Sequence, residues 1–317
     1  MKMRADDAAP PRVPFWRTAT GQNLVRIGAA VFTLGIVLYL VDQISQIGWL
    51  EVWAAAPTTA WFYVLFGLMY LTLPTFESIV YSILWNMPPH RSFLALLKKR
   101  VYSRSLIDYS GEAYLYLWAR QRVDLPERQL LATIKDSVLV SVAASTAVAG
   151  VLLGGLLLGG LLILPADLTR PYISSSLAIV LGAATLGFAA FKFRHHILFL
   201  PAEVLKKIMA LHVGRLLLLQ VLQVVQWMVV YPDVPLQTWF TLLAAQLVLY
   251  RIPFLPQRDL VFMGVGLQIA QWIDFTTASM AALLLTVSVL EKVANLLSVG
   301  LATVVEGGKE SSARRSA

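Results

Sequence analysis

Residues 137–164 read "SVLVSVAASTAVAGVLLGGLLLGGLLIL", 28 positions without a charge or a proline. About 20 apolar residues carry a helix across the hydrocarbon of a bilayer. In lipid every backbone N–H and C=O must be satisfied within the protein, which an α-helix does by itself. A second uncharged stretch, "YISSSLAIVLGAATLGFAAF", covers 172–191. Across all 317 residues, 58% are hydrophobic and 14% charged, against about 25% charged in soluble domains. The fold class expected is all-α, a polytopic transmembrane helical bundle.

Outward from 137–164, further apolar runs fall at about 25–44, 58–86, 209–231, 236–250, 260–273 and 277–304. They predict seven to eight membrane helices in one transmembrane domain, 24–305, with approximate halves 24–164 and 172–305. Polar ends at 1–23 and 306–317 are expected to be disordered. The first run begins too far from the N-terminus for an ordinary signal peptide and is taken as a retained helix.

Between 87 and 136 lies the longest polar stretch, with nine Lys and Arg, and a second basic stretch covers 192–207. Residues 42–60 hold Asp42 and Glu51 and no base. Positive charge marks the cytoplasmic side, so the N-terminus, 87–136 and 192–207 are expected inside and 42–60 outside. The side of the C-terminus depends on whether 260–273 crosses or dips. The net charge of +8 fits this bias and contact with anionic headgroups, with no nucleic acid implied. The absence of cysteine excludes disulfides, thiolate nucleophiles and cysteine metal sites.

Two segments echo each other. "RSLIDYSGEAYL" (104–115) lies on "RIPFLPQRDLVF" (251–262) at a constant offset of 147, pairing Arg104 with Arg251 and Glu112 with Asp259. Each copy follows an apolar helix and precedes a long helix rich in small residues. Transporters built from two repeats carry broken helices at such matched positions, so re-entrant or broken half-helices are expected in two related halves.

No hydrolase, metalloprotease, nucleotide or dinucleotide signature occurs, so no catalytic residue, metal or cofactor is expected. His195–His196 and the acids Asp124 and Glu127 fit interfacial solvation and charge balance. Charges inside apolar runs cost a few kcal/mol each at the helix centre and mark functional candidates. Glu291 and Lys292 sit midway along 277–304, with Asn295 one turn on. Glu77 follows Pro74, where the helix over 58–86 is expected to break. Gln220, Gln223 and Gln226 recur every three residues, with Gln246, Gln268 and Gln271 elsewhere. They serve either as glue between helices or as the lining of a polar passage. Gly150, Gly154, Gly155 and Gly159 form tandem small-residue pairs that let helices approach closely, and a homodimer face is one use for them.

With "DYSGEAYLYLWAR" (108–120), "RIPFLPQRDLVFMGVGL" (251–267) and "ASMAALLLTVSVLEKV" (278–293) in place, the chain resembles the transmembrane region of lysylphosphatidylglycerol synthases, a family of flippase-like membrane proteins. The resemblance spans roughly 25–304. Gly111–Glu112 matches the family's first motif, and Pro253 and Pro256 match the prolines of its second. Asp259 stands at the family's glutamate and Lys292 at its mid-helix base, while Gln257–Arg258 replaces a glycine pair. The resemblance implies a protein of the bacterial cytoplasmic (inner) membrane that moves or presents anionic phospholipids or lipid-linked intermediates, and not an enzyme. Arg104, Arg251 and Arg258 would hold the phosphate, Glu112 and Asp259 would orient those arginines, and Glu291 and Lys292 would line the path. A membrane enzyme acting on lipids, or a non-catalytic subunit with a membrane-protein partner, are the alternatives.

Overall fold

The computed structural model describes residues 19–105, 110–163, 198–252, 255, 257–271, 273 and 275–315. Among them the regular elements are all helices: α1 (Ala19–Ile47), α2 (Trp49–Ala54), α3 (Ala60–Trp85), α4 (Pro89–Ser105), α5 (Ser110–Arg120), α6 (Glu127–Leu158), α7 (Ala202–Met228), α8 (Leu236–Leu249), α9 (Arg258–Ala270) and α10 (Thr277–Arg315). The run 172–192, the pair His195–His196, and Pro253 and Pro256 lie outside the described residues.

Proline sets many of the helix starts. Its fixed φ suits the entry to a helix, where an N–H has no partner to lose. α4 opens on Pro89, while α6, α7 and α8 follow Pro126, Pro201 and Pro235. α3 stops at Asn86, which takes the left-handed conformation (φ 48°) that ends helices at low cost.

Among the described residues four helices are long and apolar enough to cross a membrane: α3, α6, α7 and the Thr277–Ala302 part of α10. A third or less of each spanning window is buried inside the protein. Side chains such as Leu158 and Leu296 therefore point outward, 87% and 75% exposed, a surface suited to lipid rather than water. Exposed Trp49, Trp53 and Trp61 gather around α2, in the manner of the aromatic belts that sit at headgroup level.

Among the described residues three apolar clusters form, the smallest of them Val80, Val140 and Ile208 between α3, α6 and α7. Of the larger two, one joins α1 and α2 to α7–α10, around Trp227, Trp239, Phe262 and Met280. The other joins α3–α6, around Tyr81, Trp85, Leu96, Leu115 and Leu130. The basic stretch 87–136 is thus two packed helices, α4 and α5, and the start of α6.

The echo at offset 147 extends to the helices. Adding 147 to the first residue of α4 gives 236, where α8 begins; α5 gives 257, one residue before α9; α6 gives 274, three before α10. Packing follows the same exchange. α4 rests on α10 as α8 rests on α6, and α6 rests on α7 as α10 rests on α3, while α3 and α7 pack on each other.

Several expectations are corrected. α1 already begins at Ala19, inside the segment 1–23, because the last N-terminal proline is Pro14. α10 runs to Arg315, through most of 306–317, because no proline follows Pro256. α3 continues through Pro74 rather than breaking there. Hydroxyls of Thr72 and Thr75 donate to the carbonyls of Leu68 and Leu71, both at 2.7 Å, local bonding of the kind that lets membrane helices carry proline.

Among the described residues nothing lies within 4 Å of a methyl group placed on Gly154 or Gly155 of α6. Close approach occurs at Gly111 instead. A methyl there would overlap Ser103 Oγ and lie 2.5 Å from the Lys99 carbonyl oxygen, so a side chain at 111 drives α5 off α4.

Candidate functional site

Gly111 brings Glu112 towards Lys99. The Lys99 ammonium lies 2.7 Å from Glu77 Oε1 on α3 and 3.5 Å from Glu112 Oε1. The lysine and Glu77 side chains are 7% and 12% exposed. An ion triad therefore pins α3, α4 and α5 together. Nearby on α7, neither ring nitrogen of buried His212 nor Nε of buried Arg215 has a hydrogen-bond partner among the described residues, while Arg215 Nη2 donates to Ser141 Oγ at 3.3 Å. Outside the spans, the Tyr116 phenol on α5 donates to Glu127 at the start of α6, and that bond raises its pKa.

The next residue of α4, Arg100, turns towards α10. Its Nη2 lies 3.3 Å from Glu291 Oε1, both side chains 11% exposed, and its guanidinium sits 4.4 Å from the Tyr70 ring centre. Tyr70 in turn donates to Asn295 Oδ1 at 2.8 Å and lies 3.0 Å from Ser298 Oγ. A ring face stabilises a cation, so Arg100 is held from two sides.

This pair forms one wall of a cavity of about 300 Å³. α7 supplies Gln220, Gln223 and Gln226, α8 supplies Gln246, and α10 adds Ser288. The turn between α8 and α9 contributes Tyr250, Arg251 and Asp259. Tyr250 donates its hydroxyl to Asp259 Oδ1 at 2.6 Å. Arg251, on the exposed side, donates Nη1 to Ser145 Oγ at 2.8 Å and Nη2 to the Ser145 carbonyl. Gln223 donates to Gln226 Oε1 at 3.2 Å, and Gln226 donates to the Phe62 carbonyl at 3.1 Å. Phe66, Met69, Leu216, Phe262 and Leu284 belong to the cavity's apolar lining.

Of the seven candidate residues, Arg251, Asp259 and Glu291 meet at this cavity. Arg258 is half-buried at the start of α9 and does not line it, though its charge reaches Arg251. Glu112 belongs to the Lys99 triad instead, because the close packing at Gly111 faces it to α4. Lys292 is exposed on the outer face of α10, since successive residues of a helix point about 100° apart and Glu291 takes the inward direction. Arg104 lies in the last turn of α4, its side chain outside the described residues. In the first half the cavity residue is thus Arg100, one turn earlier. Of the amides, Gln220, Gln223, Gln226 and Gln246 line the cavity, while Gln268 binds Tyr39 on α1 at 2.9 Å. Among the described residues no group of three or more His, Asp or Glu is placed to hold a metal ion.

Comparison with family models, with curated proteins and with solved structures finds no match.

Proposed function

We propose that this chain moves lipids bearing a phosphate group across the bacterial cytoplasmic membrane, as a divergent relative of the flippase-like proteins it resembles in sequence. The observation that carries this reading is the cavity. It joins arginine, carboxylate and amide groups to an apolar wall, in a bundle whose outer face suits lipid. Arg251 is anchored through two of its nitrogens, and a guanidinium has five N–H donors in a fork suited to phosphate. Asp259 and Glu291 keep the site from holding bare positive charge.

The architecture that goes with this reading is two inverted halves, α3–α6 and α7–α10. At 1.5 Å per residue, α5, α8 and α9 measure roughly 17, 21 and 20 Å, short of the roughly 30 Å of hydrocarbon. The pairs α4–α5 and α8–α9 then dip into the membrane from opposite sides and reach the cavity through Arg100 and through Tyr250, Arg251 and Asp259. With 172–191 as a further span, α3 and α7 run in opposite directions, seven to eight segments enter the bilayer, and both termini lie in the cytoplasm. Because the chain lacks cysteine, single cysteines at 309 and 251 test this. Position 309 is expected to label only after permeabilisation, and 251 far more slowly than a surface loop. Free labelling of 251 counts against a dipping pair.

Transport is read by lipid scrambling in liposomes containing the purified protein. Arg251→Ala and Arg258→Ala are each expected to slow scrambling about tenfold or more, the loss of one hydrogen bond to a charged group. Unchanged rates in both variants would remove the arginines from the mechanism.

A further inference from the structure

The formal charges lining the cavity cancel. Arg100 and Arg251 are balanced by Asp259 and Glu291, and both acids are engaged, Glu291 by Arg100 and Asp259 by Tyr250. What remains is uncharged and able both to donate and to accept. Gln220 and Gln246 line the cavity, and each carries an amide with two donors and a carbonyl. Neither makes a hydrogen bond to another described side chain, unlike Gln223 and Gln226, which hold each other. The surplus positive charge is that of Arg258, half-buried at the start of α9 beside the entrance, where Arg251 is exposed.

An anionic group is therefore favoured at the entrance and an uncharged one inside. A headgroup amine brought inside would find both carboxylates already engaged and two guanidinium groups nearby. An additional carboxylate would upset the balance in the other direction. A hydroxyl-rich group matches the free amides and Ser288 without either penalty. The volume, about 300 Å³, is at the small end of ligand pockets and holds a headgroup but not acyl chains.

We propose that the cavity selects lipids whose phosphate carries an uncharged polyhydroxyl headgroup, with the phosphate beside Arg251 and Arg258 and the hydroxyls on Gln220 and Gln246. This rests on the lipid reading above and narrows its substrate class.

The test is native mass spectrometry of the full chain in detergent with five lipids of matched acyl chains: phosphatidylinositol, phosphatidylglycerol, phosphatidylethanolamine, phosphatidylserine and phosphatidic acid. The first two are expected to bind at least about tenfold more tightly than the two amine-bearing lipids, the effect of one or two hydrogen bonds gained. The double variant Gln220→Leu, Gln246→Leu is expected to bring phosphatidylinositol down to the level of phosphatidic acid while leaving phosphatidic acid unchanged. Equal binding of phosphatidylserine and phosphatidylinositol overturns the proposal, as does an equal loss of phosphatidic acid in the double variant. If that variant fails to fold, the wild-type ranking decides alone. Soluble glycerophosphoinositol displacing the lipid at equal concentration would make the ligand a free polyol phosphate and also overturn it. Binding is read without transport, so the two readings fail separately. A retained ranking with no scrambling removes translocation only, and scrambling with no ranking removes headgroup selection only.

Discussion

Lys99→Met is expected to destabilise the protein by about 3–5 kcal/mol, the cost of leaving buried partners of an ion pair without their counter-charge. Glu77 and Glu112 would then face each other across an apolar side chain, where Lys99 now stands 2.7 and 3.5 Å from them. The damage falls on the α3–α4–α5 junction, which also holds Arg100 in place. The triple variant Glu77→Gln, Lys99→Met, Glu112→Gln is expected to recover most of the loss, since removing all the charges also removes their desolvation cost. Thermal unfolding in detergent reads both. A Lys99→Met protein as stable as the parent would mean that the triad contributes nothing to holding these helices.

Glu291→Leu separates stability from function. It takes away the carboxylate 3.3 Å from Arg100, and a loss of about 3 kcal/mol is expected, at the low end for a broken buried pair because the Tyr70 ring still supports the guanidinium. Adding Arg100→Met should restore much of that stability. Lipid scrambling should stay low in both proteins, since neither keeps the polar wall of the cavity. A double variant that regains stability and scrambles at the parental rate would show that the pair is structural only.

How much was legible in the sequence depends on the length of the signal. Long apolar runs gave α3, α6, α7 and α10, because lipid leaves an apolar chain no other open structure. The offset of 147 was visible in a few residues around 104 and 251, and the helix starts follow it through three consecutive elements. Glu291 and four glutamines could be singled out because polarity inside an apolar run stands out, and Arg251 and Asp259 because they fall in the segment echoed at offset 147. Arg100 could not. It ends the run Lys98-Lys99-Arg100, whose members point about 100° apart, and only packing shows that Lys99 turns to α3 and α5 while Arg100 turns to α10. The same geometry decided between Glu291 and Lys292. Tyr70 and Tyr250 were hidden because a tyrosine in an apolar helix looks like core until its hydroxyl partner is known. The glycines of α6 show the limit of spacing, which describes what a helix face permits and not which neighbour comes to use it.

Pro74 has a mechanical consequence. It cannot give the N–H that the Tyr70 carbonyl would take one turn earlier, and Thr72, Thr75 and Ser78 around it all turn their hydroxyls back onto the backbone, which tends to bend helices. The softest turn of α3 is thus the one that carries Tyr70 against Arg100, Asn295 and Ser298. On the far side, the Phe62 carbonyl is tied to α7 through Gln226. α3 is thus tied to α7 at the Phe62 carbonyl and lacks one backbone hydrogen bond at residues 70–74, so its least restrained turn is the one that brings Tyr70 to the cavity.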